Sequence, residues 1–80
     1  MNTDKLLGVM KENRDTLKSL SQAIGLSRTR LSAKIHGKDG AVFTQPEMFI
    51  IKNRYNLNDA DFTAIFLLIM YLKKIHGGKQ

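Results

Sequence analysis

Apolar residues recur along this chain in short clusters whose spacing predicts five helical segments. In the first, from about Thr3 to Asn13, Leu6, Leu7, Val9 and Met10 form one broad stripe. Thr3 stands as its candidate N-cap, with Asp4 in the first turn. Gly8 lies inside the stripe and costs about 1 kcal/mol against Ala. The second segment, Thr16 to Ile24, puts Leu17, Leu20, Ser21 and Ile24 on one helical face, and Gly25 stops it as a residue free to take positive φ. Ser27 then caps a third helix from about Arg28 to His36, in which Leu31 and Ile35 share a face and Gly37 ends the run.

The fourth segment is announced by Phe43-Thr44-Gln45-Pro46-Glu47-Met48. Thr44 and Glu47 make a capping box, Phe43 and Met48 a hydrophobic staple, and Pro46 sits where no intrahelical N–H is needed. That helix is expected to reach about Arg54 and to bury Met48, Ile51 and Tyr55. Asn58 caps a fifth segment, with Asp59 and Asp61 at the positive end of its dipole. From Ile65 to Leu72 the chain is apolar without a break, so periodicity leaves helix and strand both open. The good cap and the absence of turn residues favour helix to about Ile75. The run also exceeds what four short helices can cover. Its surplus is expected at a homodimer interface formed by Ile65, Phe66, Leu68, Ile69 and Leu72. The expected fold is therefore all-α: a compact bundle of about five helices, one domain over residues 1–76, with a disordered tail at 77–80.

Composition narrows the chemistry. Eighty residues make one small domain with a modest core, and 42% hydrophobic against 25% charged residues is too apolar for a disordered chain. Without Cys there is neither a disulfide nor a thiolate to exploit. The N-terminal residues show no apolar targeting segment, and the longest apolar run, Ala64 to Leu72, is nine residues where a membrane span needs about 20. A soluble, cytoplasmic protein is expected. His36 and His76 are forty residues apart and the acids are scattered at helix starts, which supplies neither a metal-ligand set nor an acid–base pair. No catalytic residue, metal, cofactor or small-molecule substrate is expected.

Charge is the unusual property. Thirteen Lys and Arg against seven Asp and Glu give a net +6. Between Thr16 and Lys38 lie Lys18, Arg28, Arg30, Lys34 and Lys38 and no acid at all. A solvated surface helix usually mixes both signs. Here one sign covers two helices joined by a short turn around a glycine, an arrangement that fits the major groove of a duplex. A phosphate-lined partner explains that better than solvent does.

The stretch Ser19-Leu-Ser-Gln-Ala-Ile-Gly-Leu-Ser-Arg-Thr-Arg-Leu-Ser-Ala-Lys-Ile-His-Gly-Lys38 resembles the helix-turn-helix of the lambdoid phage repressor and Cro superfamily. The shared features are a small residue four before the glycine, Gly-aliphatic-Ser/Thr, and an aliphatic residue six after the glycine. Phe43 to Glu47 and Asn56-Leu57-Asn58 look like the short phage-derived repressor-like proteins of Gram-positive bacteria, and the likeness covers roughly residues 5–65. Leu17 stands where the family often has Gln, His36 where it usually has Asn, and Lys34 where many members carry an apolar residue.

The resemblance implies a dimeric transcriptional regulator that places its third helix in the major groove of operator DNA, with half-site centres about 34 Å apart. Base readout falls to Arg28, Thr29, Arg30, Ser32 and Ala33. The arginines match guanine O6 and N7 or else bind phosphate, and Thr29 and Ala33 suit a thymine methyl. Thr16, Lys18, Ser19, Ser27, Lys34, His36 and Lys38 are the candidate phosphate contacts. The competing reading is a protein-interaction module, such as an anti-repressor or polymerase-binding factor, acting through the Ile65–Leu72 surface.

Overall fold

The computed structural model describes residues 1–67. Four helices, α1 (Thr3–Glu12), α2 (Leu17–Ile24), α3 (Arg28–His36) and α4 (Gln45–Arg54), precede a fifth helical segment, α5, over residues 59–67. A single 3-10 turn, Lys38–Gly40, leads out of α3. No strand occurs among the described residues, so the fold is all-α as expected. Helix also replaces the helix-or-strand alternative for residues 65–67; residues 68–72 and the tail at 77–80 lie outside the described residues.

Local chemistry fixes the helix starts, because each cap satisfies a backbone donor that has no partner inside its helix. Thr16 Oγ1 accepts from the Ser19 N–H at 3.1 Å, Ser27 Oγ from the Arg30 N–H at 3.1 Å, and Asn58 Oδ1 from the Asp61 N–H at 2.7 Å. At α4 the capping box closes both ways. Thr44 Oγ1 accepts from the Glu47 N–H at 3.4 Å, and the Thr44 N–H donates to Glu47 Oε1 at 2.9 Å. At α1 the cap is Asn2 rather than Thr3: Asn2 Oδ1 accepts from the Lys5 N–H at 3.0 Å. The Thr3 hydroxyl instead donates to the Ile35 carbonyl at 2.8 Å, a tertiary bond from α1 to the end of α3.

One core holds the helices together. Leu6, Leu20, Leu31, Ile35, Phe43, Met48, Ile51, Ile65 and Phe66 are each at most 1% exposed. Met48, Ile51 and Tyr55 are buried as the fourth segment predicts. The stripes of α1 and α2 are narrower than expected, with Leu7 and Leu17 exposed at their edges. The dimer-interface assignment of Ile65 and Phe66 is corrected outright. Both are fully buried in this chain's own core, and Phe66 meets Phe43 edge-to-face at 5.9 Å between ring centroids. The helical turn of α5 sends residues 65 and 66 inward as a lid and leaves Leu67 57% exposed. An unbroken apolar run thus counted as surplus two side chains that the core needs.

The start of α2 is tied to the end of α4. Asp15 accepts from Arg54 Nε at 2.7 Å, from a terminal Arg54 nitrogen at 3.0 Å, from the Tyr55 hydroxyl at 2.6 Å and from the Thr16 N–H at 2.9 Å. The Asp15 side chain is only 8% exposed, so the carboxylate is shielded while remaining fully paired. The Arg54 guanidinium holds its carboxyl down at about 2, against the burial that would raise it; Tyr55 and the Thr16 N–H add to the lowering. Burial, and then the carboxylate itself, push the Tyr55 phenol up. Because Asp15 titrates lower in the folded chain than its ordinary 3.8, its stabilisation is complete above that value and is lost as pH falls toward 2. Asp15→Asn is therefore expected to lower the unfolding free energy at pH 7 by about 1–3 kcal/mol. In urea titrations the gap to wild type should close between about pH 4 and pH 2. A gap that stays constant down to pH 2 would contradict the role given to the carboxylate.

Candidate nucleic-acid interface

Helices α2 and α3 meet through the turn at Gly25, whose φ of 85° lies in the left-handed region. Both the Gly25 and Leu26 N–H groups donate to the Ser21 carbonyl, at 2.8 and 2.9 Å. Ser21 is buried, and its hydroxyl is satisfied by the Lys18 carbonyl at 2.8 Å. A small side chain that bonds to its own helix lets α3 pass close by without an unpaired polar group. Leu20 from α2 and Leu31 and Ile35 from α3 fill the space beneath.

With Leu31 and Ile35 turned inward, α3 shows its other side to solvent. Arg28, Thr29 and Arg30 are exposed, and Ser32 and Ala33 half-buried. Arg28, Thr29, Ser32 and Ala33 fall in two i, i+4 pairs and line one open concavity of about 400 Å³, joined by Lys38 from the turn that follows. Four of the five expected base-reading residues thus share one surface. Arg30 is not among its lining residues. Lys38 reaches the rim because the chain reverses at Gly37, whose φ is 65°; Asp39, one residue further on, also takes positive φ, at 54°.

The expected phosphate contacts divide. Lys18, Ser19, His36 and Lys38 are exposed. Thr16 and Ser27 are exposed as well, but their hydroxyl oxygens serve first as the caps of α2 and α3. Lys34 is corrected. Its ammonium lies 2.6 Å from Glu47 Oε1, and the two side chains are only 11% and 15% exposed. No acid lies within four residues of Lys34 in the sequence, yet α4 folds Glu47 against it. Burial raises the Glu47 carboxyl, but Lys34 and the Thr44 N–H outweigh that and leave it below its ordinary value.

Pairing elsewhere sharpens the charge map. Among the described residues, Asp15, Glu47, Asp59 and Asp61 pair with Arg54, Lys34, Lys52 and Lys5. Lys18, Arg28, Arg30 and Lys38 make no ion pair there, and Asp39 is the one acid on α2, α3 and the turn after them, so these elements keep a positive excess. Among the described residues no three His, Cys, Asp or Glu side chains converge as metal ligands, and no helix is long and apolar enough to cross a membrane. Residue patterns alone did not single out the Asp15–Arg54 pair, and they marked Tyr55 only as a core residue; together these tie the start of α2 to the far end of α4. Glu47 was visible only as a capping residue. Comparison with protein-family models, with curated proteins and with solved structures finds no match to this chain.

The turn between α2 and α3 can be tested through its glycine. Gly25→Ala meets no atom within 4 Å, but it forces a side chain into positive φ and should destabilise the protein by about 1–2 kcal/mol. Gly8→Ala, within α1 and equally open around its added methyl, should instead stabilise by about 0.5–1 kcal/mol. Thermal or urea unfolding of the two variants reads both signs. Equal effects would contradict the strained turn.

Proposed function

We propose that this protein is a transcriptional regulator that binds double-stranded DNA in a sequence-dependent way, with α3 entering the major groove N-terminus first. The observation that carries the reading is the concavity on α3, where Arg28 and Lys38 flank Thr29, Ser32 and Ala33 and, among the described residues, neither cation is paired with an acid. Arg28 presents its fork to guanine, and Thr29 and Ala33 offer methyl groups to thymine. Arg30 reads a base edge or a phosphate from the neighbouring face. Lys18 and Lys38 neutralise backbone phosphates, with Ser19 and His36 as polar contacts. No cofactor takes part. The protein acts in the cytoplasm as a homodimer on a roughly palindromic operator and represses by obstructing polymerase. Its interface comprises the exposed Leu67 and the apolar Leu68, Ile69 and Leu72 that follow in sequence.

Equilibrium binding to random-sequence and selected duplexes over a range of salt tests this. Affinity should fall steeply with salt, as counterion release requires. Arg28→Ala should lower the preference for the selected duplex by about 1–3 kcal/mol. Lys38→Ala should weaken all duplexes alike and flatten the salt slope by about 1. Salt-independent binding, or two variants that behave as wild type, would contradict the proposal. Affinity confined to a protein partner would favour the interaction-module reading.

A further inference from the structure

Lys34 projects from α3 and Glu47 from the first turn of α4, and their contact at 2.6 Å is nearly closed to solvent. The Glu47 oxygen that takes the Lys34 ammonium is the same Oε1 that accepts the Thr44 N–H at 2.9 Å. One carboxylate oxygen therefore starts α4 and grips α3. We infer that Glu47 is a positioning residue that sets how α3 lies against α4, and that Lys34 contributes no charge to the basic surface around it.

The physical reason is the cost of separation. Two shielded charges pulled apart leave each uncompensated, so the pair permits little rotation or sliding of α3 over α4. Lys34 also lies one turn beyond Arg30, and a freed ammonium there would add to a same-sign surface. Paired with Glu47, it is taken out of that surface. The consequence for DNA rests on the function proposed above; the consequence for helix placement does not.

Two substitutions separate the parts. Glu47→Gln keeps a capping side chain and removes the charge, and Lys34→Met keeps an unbranched apolar stem of similar length. In the free protein, amide chemical shifts in Glu47→Gln should move along α3 as far as Arg28. Shifts confined to residues 44–48 would overturn the positioning role. With a random-sequence duplex, Lys34→Met should keep the wild-type salt slope, while Glu47→Gln should steepen it by about 0.9, the increment of one phosphate contact. The preference of Glu47→Gln for a selected over a random duplex should fall about tenfold, within the range that one base contact supplies. If Lys34→Met flattens the slope as much as Lys38→Ala does, Lys34 is a phosphate contact and the inference fails. If the wild-type chain binds no duplex, the proposed function fails instead, and the shifts in the free protein alone decide what Glu47 does.

Discussion

The structure depends on α4 gripping the helix-turn-helix at both ends. At its start, Glu47 holds Lys34 of α3; at its end, Arg54 and Tyr55 hold Asp15 just ahead of α2. Between those points Met48 and Ile51 join the core with Leu20, Leu31 and Ile35. Apolar packing supplies most of the attraction but little direction, since it scales with area rather than geometry. The shielded charge pairs supply direction, because each has one arrangement in which its donors and acceptors are satisfied. Two helices joined by a short turn are in this way tied to α4 at two points, and the outward face of α3 is left to solvent.

The same pairs shape the electrostatics. Four of the seven acids pair with basic residues on α1, α3 and α4. Among the described residues, the charges left without an ion pair on α2, α3 and the following turn are Lys18, Arg28, Arg30 and Lys38 against the single acid Asp39, so these elements keep a positive excess. A mainly positive surface that also carries hydroxyl and methyl groups suits a ligand that offers both phosphates and base edges. Stability and electrostatics are linked here, since among the described residues the acids that tie the helices together are paired with Lys5, Lys34, Lys52 and Arg54 and not with these four cations.

Much of the fold was legible in the sequence, for a local reason. Caps and left-handed glycines act within four residues, so the caps Ser27, Thr44 and Asn58 and the stops at Gly25 and Gly37 could be read directly, while Thr16 was legible as the start of α2 and not as its cap. The inward faces of α3 and α4 were legible through periodicity. What escaped was set at long range. Asp15 and Arg54 are 39 positions apart and Lys34 and Glu47 are 13 apart, and neither pair leaves a periodic trace. Thr3 lost its expected capping role to a bond with the Ile35 carbonyl across the fold. Ile65 and Phe66 looked like surplus because the depth of a core cannot be counted along a line of residues. At the candidate site, four of the five residues that the resemblance implied gather on α3, Arg30 does not line the concavity, and Lys38 joins them through the reversal at Gly37.

The most direct test of this account is a residue-by-residue map of amide chemical-shift changes as duplex DNA is added to the folded protein. The account predicts changes gathered over residues 27–38, with a weaker set at the start of α2 and none centred on the outer face of α1. Changes that avoid 27–38 and gather on another face would contradict it.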